Sequence, residues 1–204
     1  MCPVKVKLCG LSRFEDIVAA NAVKPDYVGF VFAPKSRRWV PPERARLLRY
    51  RLDSSITPVG VFVNQPVELV ARLLREDVID TAQLHGQEDE RYLAALRRRT
   101  TKPIWQAFRV ENREDVRRAT ASGADLILLD NGPGGTGETF DWSLVRDCPR
   151  PFLLAGGLTP ENVGTAIRQV RPFGVDTSSG VETGGRKDPE KCGRFVQAVR
   201  AARA

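Results

Sequence analysis

Cys9 closes the apolar run Val6-Lys7-Leu8-Cys9, and a cysteine becomes a nucleophile or base once it is a thiolate. Most lone cysteines are inert, buried, small hydrophobes. Cys9 differs because Lys7 lies two residues earlier, on the same face of an extended strand. A neighbouring ammonium is expected to lower the thiol pKa. Asp130 closes a second run, Leu126-Ile127-Leu128-Leu129. A carboxylate at a strand end serves either as a cap or as a general acid. Beside an anionic substrate its pKa would rise, which suits an acid working near neutrality. His85, the only histidine, ends the run before Gly86. One histidine makes no metal cluster, so substrate positioning and a hydrogen-bonded structural role both stay open. Arg37 and Arg38 follow another apolar run. An arginine there is either a solvated loop cation or a clamp that grips a carboxylate with two parallel hydrogen bonds.

Two glycine- and serine-rich turns follow the last apolar runs. Gly156-Gly157-Leu158-Thr159-Pro160 leads from one run into a helical pattern, and Ser178-Ser179-Gly180 follows the final run. Glycine permits positive φ and lets backbone approach a ligand closely. Helix N-termini present unpaired N–H groups that bind phosphate. Either turn alone could be simply a tight connection. Two in succession suggest a phosphate pocket.

The elements that must position these residues alternate. Apolar runs occupy Val4 to Cys9, Tyr27 to Phe32, Val59 to Val63 and Thr81 to Leu84, the last being the weakest. Four more occupy Ile104 to Phe108, Leu126 to Leu129, Phe152 to Ala155 and Gly174 to Thr177. Helical patterns lie between them at Phe14 to Val23, Pro42 to Arg51, Pro66 to Asp77, Glu88 to Arg99 and Arg113 to Ser122. The remaining three are a short one at Trp142 to Arg146, then Pro160 to Val170 and Pro189 to Arg203. Ser12, Thr159 and Asp188 are the expected N-caps of the first and the last two. Strands apolar on consecutive positions belong to parallel sheets covered by helices. Eight such units predict an α/β fold, a single (βα)8 or TIM barrel over residues 1–204. An open six-stranded sheet is the alternative if two weak strands fail. In a barrel the active face lies at the strand C-termini, where Cys9, Asp130, Gly156-Gly157 and Ser178-Ser179-Gly180 all fall.

Composition narrows the partners. With 204 residues, 42% hydrophobic and 28% charged, the chain is an ordinary globular protein that buries roughly 70% of its unfolded surface. The net charge of +7 is dispersed. Its densest runs, Arg97-Arg98-Arg99 and the stretch holding Arg44, Arg46, Arg49 and Arg51, fall on helical patterns and read as solvated faces. No recognition motif or aromatic platform accompanies them, so nucleic acid is not expected. Cys2, Cys9, Cys148 and Cys192 fit no zinc or redox spacing. No signal peptide or membrane-length run is evident, which predicts a cytoplasmic protein with reduced thiols.

Taken together the segments resemble the phosphoribosylanthranilate isomerase family of tryptophan biosynthesis. The resemblance covers essentially the whole chain. It is carried by Val6-Lys7-Leu8-Cys9-Gly10-Leu11-Ser12, by Gly29-Phe30-Val31-Phe32 with Ser36-Arg37-Arg38, by Gly60-Val61-Phe62-Val63-Asn64 and by Gln83-Leu84-His85-Gly86. It continues through Leu128-Leu129-Asp130, Gly135-Thr136-Gly137 and Phe140-Asp141-Trp142. Ala155 to Val163 and Val175-Asp176-Thr177-Ser178-Ser179-Gly180-Val181-Glu182 complete it. The resemblance implies an Amadori rearrangement of N-(5-phosphoribosyl)anthranilate without cofactor or metal; a monomer or a homodimer is expected, and the sequence does not show which. It implies Asp130 as general acid toward the ribose ring oxygen and Cys9 as general base toward the carbon bearing the 2-hydroxyl. Arg38 would hold the anthranilate carboxylate. Gly156, Gly157, Ser178, Ser179 and Gly180 would hold the phosphate, with Lys7, Gln83, His85 and Asp176 as further substrate-binding residues. The stretch Thr183 to Asp188 is where family members vary.

Two rivals remain. A histidine-pathway phosphoribosyl isomerase shares the barrel but resembles a family with aspartate as base on the first strand, and Cys9 argues against it. A non-catalytic anion- or nucleic-acid-binding barrel would bind in a salt-sensitive way and ignore substitution of Cys9.

Overall fold

A computed structural model describes residues 3–130 and 141–202. Cys2, the glycine-rich segment from Asn131 through Gly135-Thr136-Gly137, and Phe140 lie outside the described residues. The eight runs form strands β1 (Lys5–Cys9), β2 (Tyr27–Val31), β3 (Thr57–Phe62), β4 (Thr81–Leu84), β5 (Ile104–Arg109), β6 (Leu126–Asp130), β7 (Phe152–Leu154) and β8 (Gly174–Thr177). All pair in parallel in chain order, and β8 closes on β1. The open six-stranded alternative is thereby excluded. Even the short β4 is buried along its whole length and bonded on both sides.

Strand alternation sorts side chains into two layers. Val6, Leu8, Val28, Phe30, Phe62, Leu84, Ile127, Leu129 and Leu154 face outward into the main core. There they meet helices α1 (Phe14–Val23), α2 (Pro42–Tyr50), α3 (Val67–Arg75), α4 (Glu90–Arg97), α5 (Arg113–Ala121), α6 (Val163–Val170) and α7 (Pro189–Ala201). The opposite parity fills the barrel. Val59, Trp105, Ala107, Leu126, Leu128, Leu153 and Ala155 pack together inside it, with Tyr27 edge-on to Trp105. Cys9, Val31, Ala33 and Val61 form a smaller apolar group above them. The conflict between a polar strand residue and a buried strand is resolved by this parity, because Lys7, Gln83, Asp130 and Asp176 all point to the interior.

Three local expectations change. Ser12 does not cap α1. Arg13 is the N-cap, and Asp16 in the first turn accepts from the backbone N–H groups of Ser12 and Arg13 at 2.9 and 3.0 Å. The helix expected from Pro160 begins at Val163, because the Asn162 side chain takes the Thr159 N–H at 2.8 Å and donates to the Gly157 carbonyl at 2.9 Å. Those bonds hold a turn where a helix would otherwise start. Trp142 to Arg146 contributes only a 3-10 turn over Trp142–Leu144. Asp188 does cap α7, accepting from the N–H groups of Glu190 and Lys191.

The arginine runs lie on α2 and at the C-terminal end of α4, with Arg51, Arg98 and Arg99 just past the helix ends. Arg46 pairs with Glu76, Arg49 with Asp80, Arg97 with Asp125 and Arg99 with Glu68. Each joins neighbouring elements at the surface, where such a pair contributes little net stability. Among the described residues no helix is long and apolar enough to cross a membrane.

Candidate active site

A cavity of about 250 Å³ opens at the C-terminal end of the barrel. Cys9, Arg38, Gln83, His85, Asp130, Gly156, Gly157, Asp176, Ser178 and Ser179 line it. These residues come from distant stretches of chain, and the closed barrel gathers them at one mouth. Lys7 and Gly180 are outside the lining.

Lys7 is completely buried below the mouth. Parallel register sets it directly beside Asp176, and its Nζ donates to both carboxylate oxygens at 3.0 Å. Burial works against both charges. For Lys7, the Asp176 carboxylate and secondarily Cys9 overcome it, and the pKa is raised. For Asp176, burial outweighs the pull of Lys7, and its pKa is raised too. The pair therefore titrates as a unit that holds its proton tightly.

Cys9 departs from the sequence expectation. Burial is the dominant influence and pushes its thiol up, while Lys7 and Lys187 pull it down without prevailing. The ammonium beside it acts in the expected direction, but the dry surroundings win. Its place is kept by Gly29, its register partner on β2. A Cβ at Gly29 would approach the Cys9 sulfur to 2.7 Å, so a side chain there would displace the thiol.

Across the mouth, His85 Nε2 lies 3.5 Å from Asp130 Oδ2, and His85 Nδ1 lies 3.5 Å from the Gln83 amide nitrogen. Gln83 is buried, and its Oε1 has no hydrogen-bond partner among the described residues. Such an orphaned acceptor inside a cavity is costly unless a ligand or water satisfies it. Nearby, Glu88 is buried and accepts from the N–H groups of Asn64 and Gly86 at 2.7 Å. It stabilises the two loops flanking His85, a role that local spacing does not reveal.

Gly156 and Gly157 take φ of 88° and 65°, which turns the chain after β7 with its backbone toward the cavity. The loop after β8 is bound to it, since Thr177 Oγ1 donates to the Leu158 carbonyl at 2.7 Å. Gly180 packs against the same carbonyl so closely that a Cβ there would overlap the Leu158 oxygen. Gly180→Ala is expected to push the two loops apart and raise KM about tenfold or more, with a smaller change in kcat. Steady-state kinetics, with inhibition by inorganic phosphate as a second reading, checks this.

Arg38 is turned toward Glu182 rather than lying free. Its Nε donates to Glu182 Oε1 at 2.7 Å and one Nη donates to Oε2 at 3.0 Å. Glu182 also receives Lys187 Nζ at 2.7 Å and the exposed Arg37 at 3.0 Å. Burial pushes the Glu182 carboxyl up, but hydrogen bonds and charges from Arg38 and Lys187 bring it down to about 2. The sequence motif contained Glu182, and nothing in its spacing announced this role. Lys187 was missed because its partners come from the folded chain.

The N-(5'phosphoribosyl)anthranilate (PRA) isomerase family model matches residues 6–198. The chain belongs to this family. An N-(5'-phosphoribosyl)anthranilate isomerase of Clostridium kluyveri is 46% identical, covering 97% of this chain and 98% of that protein. A phosphoribosyl anthranilate isomerase structure in complex with reduced 1-(O-carboxyphenylamino)-1-deoxyribulose 5-phosphate superposes with a TM-score of 0.86. It is 39% identical, and the match covers 96% of this chain and 98% of that one. A structure of monomers generated from the dimeric isomerase of Thermotoga maritima has a TM-score of 0.85 and 40% identity, with coverage of 96% and 98%. Within this isomerase family, the fit of the barrel extends over nearly the whole length of both chains.

Proposed function

We propose that Cys9 and Asp130 are the base and acid of this isomerase, and that the loops after β7 and β8 anchor its substrate's phosphate. The chain is a phosphoribosylanthranilate isomerase and acts in tryptophan biosynthesis, as its family and relatives show. The observation that supports the residue roles is the gathering of Cys9, Asp130, Arg38 and both loops around one cavity. On this reading Asp130 protonates the ribose ring oxygen, and the C–O bond breaks to give a Schiff-base cation. Cys9, as thiolate, removes the proton from the carbon bearing the 2-hydroxyl. The enolamine then becomes the ketone as the Cys9 thiol gives its proton to C1 and the enol hydroxyl gives its proton to Asp130, which restores both groups. Acid and base come from β6 and β1, far apart around the eight-stranded ring, so they can address a sugar from different sides.

Around that centre, Arg38 meets the anthranilate carboxylate and Gly156, Gly157, Ser178 and Ser179 the phosphate, while Gly180, outside the cavity lining, seats the two phosphate loops against each other. The orphaned Gln83 oxygen accepts from a substrate hydroxyl. His85 orients Asp130, and Asp176 borders the sugar. Lys7 acts through Asp176 and Cys9 rather than by touching the ligand. The protein works as one catalytic domain, residues 1–204, in the cytoplasm, as a monomer or homodimer, on a small phosphorylated substrate. It uses no cofactor, metal, nucleic acid or membrane.

The direct test is the decay of phosphoribosylanthranilate fluorescence on adding the purified protein. Turnover only on the histidine-pathway precursor would reject the assignment. The same assay reads pH dependence. A base must be deprotonated to work, and burial holds the Cys9 thiol above its ordinary value. In Asp130→Asn, where no general acid titrates, the residual kcat/KM is expected to follow the thiolate fraction and keep rising with pH beyond the usual thiol range of about 8.5. A residual profile in that variant already flat below pH 8 would remove Cys9 from the role of base.

A further inference from the structure

Glu182 joins the carboxylate end of the cavity to its phosphate end. It begins the short hairpin of β9 (Glu182–Thr183) and β10 (Arg186–Lys187), in which Glu182 and Lys187 are register partners. Lys191 Nζ, from α7, fixes the Glu182 carbonyl at 2.8 Å. The Glu182 side chain therefore projects from a braced backbone. Its carboxylate takes Arg38 side-on, through Nε and one Nη. A guanidinium has five N–H donors in a planar fork, so this contact leaves the end-on edge available.

Arg38 passes over Gly10, whose lack of a side chain gives it the space for this pose. Its Cδ occupies the space that a side chain at Gly10 would need, and Gly10 takes a φ of 83°. Around Glu182 itself, Arg37, Arg38 and Lys187 set three cations against one carboxylate, so this cluster keeps a positive excess. Lys187 carries the connection onward. Its Nζ also donates to the Ser178 carbonyl at 2.8 Å, and Ser178 Oγ donates to the Cys9 carbonyl at 3.0 Å.

We propose that Glu182 is a positioning residue for carboxylate selection: it holds Arg38 side-on so that the free edge of the guanidinium meets the ligand carboxylate. Through Lys187 it couples that pose to the loop that carries Ser178. The proposal rests on the reading of Arg38 as the group that meets the anthranilate carboxylate. Preorganising the fork removes the cost of ordering a long side chain on binding. With its carboxyl brought down to about 2, Glu182 stays ionised at neutral pH and keeps its hold on Arg38.

The test compares two probes on the full chain. One is reduced 1-(O-carboxyphenylamino)-1-deoxyribulose 5-phosphate, and the other is the same compound without its carboxylate. In Glu182→Gln, affinity for the first is expected to fall about tenfold or more while the second changes less than about twofold. Arg38→Met should abolish the preference for the carboxylate, and adding Glu182→Gln to it should cost nothing further in that preference. Glu182→Asp keeps the charge but shortens the reach, and should show the same selective loss if the amide variant folds poorly. Equal losses for both probes in the Glu182 variants would make the residue merely structural and overturn the proposal, even with Arg38→Met behaving as expected. If Arg38→Met keeps the full preference, the reading of Arg38 fails and the proposal falls with it.

Discussion

Replacing Asp130 by Asn is expected to lower turnover by about 10²- to 10⁴-fold, or roughly 3–5 kcal/mol of transition-state stabilisation. Asn has the same shape, so the cavity and the approach of His85 to this position should survive. Only the transferable proton is lost. Cys9→Ser is expected to cost a similar factor, because a hydroxyl is a far weaker acid than a thiol and supplies almost no anion. The site should tolerate the swap, since serine fits the space of cysteine and Lys7, a hydrogen-bond partner of the thiol, can satisfy the hydroxyl. Both effects should appear in single-turnover rates, while the dissociation constant of the reduced product analogue stays within about threefold. That split separates a chemical role from a binding role. Near-normal turnover in either variant would take that residue out of the mechanism.

The second large effect is on stability. Lys7→Met is expected to destabilise the fold by about 3–5 kcal/mol, because it strands the buried Asp176 carboxylate. Methionine fills most of the volume of the lysine stem, so the loss is electrostatic rather than a cavity effect. Burial already pushes the Asp176 carboxyl up against the pull of Lys7, and without Lys7 nothing of equal strength opposes it. A carboxyl whose folded pKa exceeds its unfolded value binds more protons when folded. Stability then falls as pH rises through that range, and the deficit of the variant should shrink on acidification. Adding Asp176→Leu should recover part of the loss by removing the stranded charge. Urea titrations of the single and double variants at two pH values would measure all three quantities. An equal deficit at every pH, with no recovery in the double variant, would show that the ion pair is not what Lys7 contributes.

These two experiments address different layers of the same barrel. Asp130 and Cys9 lie at the strand ends, where a ligand can reach them. Lys7 and Asp176 are placed at adjacent register positions on β1 and β8, where barrel closure itself brings them together. The chemistry at the mouth therefore stands on a charged pair that only a closed barrel can form.

The sequence by itself determined the alternation of strands and helices, because parallel strands covered on both faces must be apolar on consecutive positions. It also placed Cys9, Asp130 and the two glycine-bearing turns at strand ends, since each follows an apolar run directly. What it did not contain was the dielectric around those groups or the partners that reach them through space. Lys7 was visible beside Cys9, yet its charge is directed to Asp176, 169 residues away in the chain. Burial then overrides the expected lowering of the thiol pKa. The carboxylate facing Arg38 comes from Glu182, 144 residues on. The α6 helix starts at Val163 because one asparagine side chain captures the turn before it. Strand order, parity and loop position follow from local pattern. Desolvation, register partners and side-chain capture follow from closure of the barrel, and they set the protonation of Cys9 and Asp176 and the orientation of Arg38.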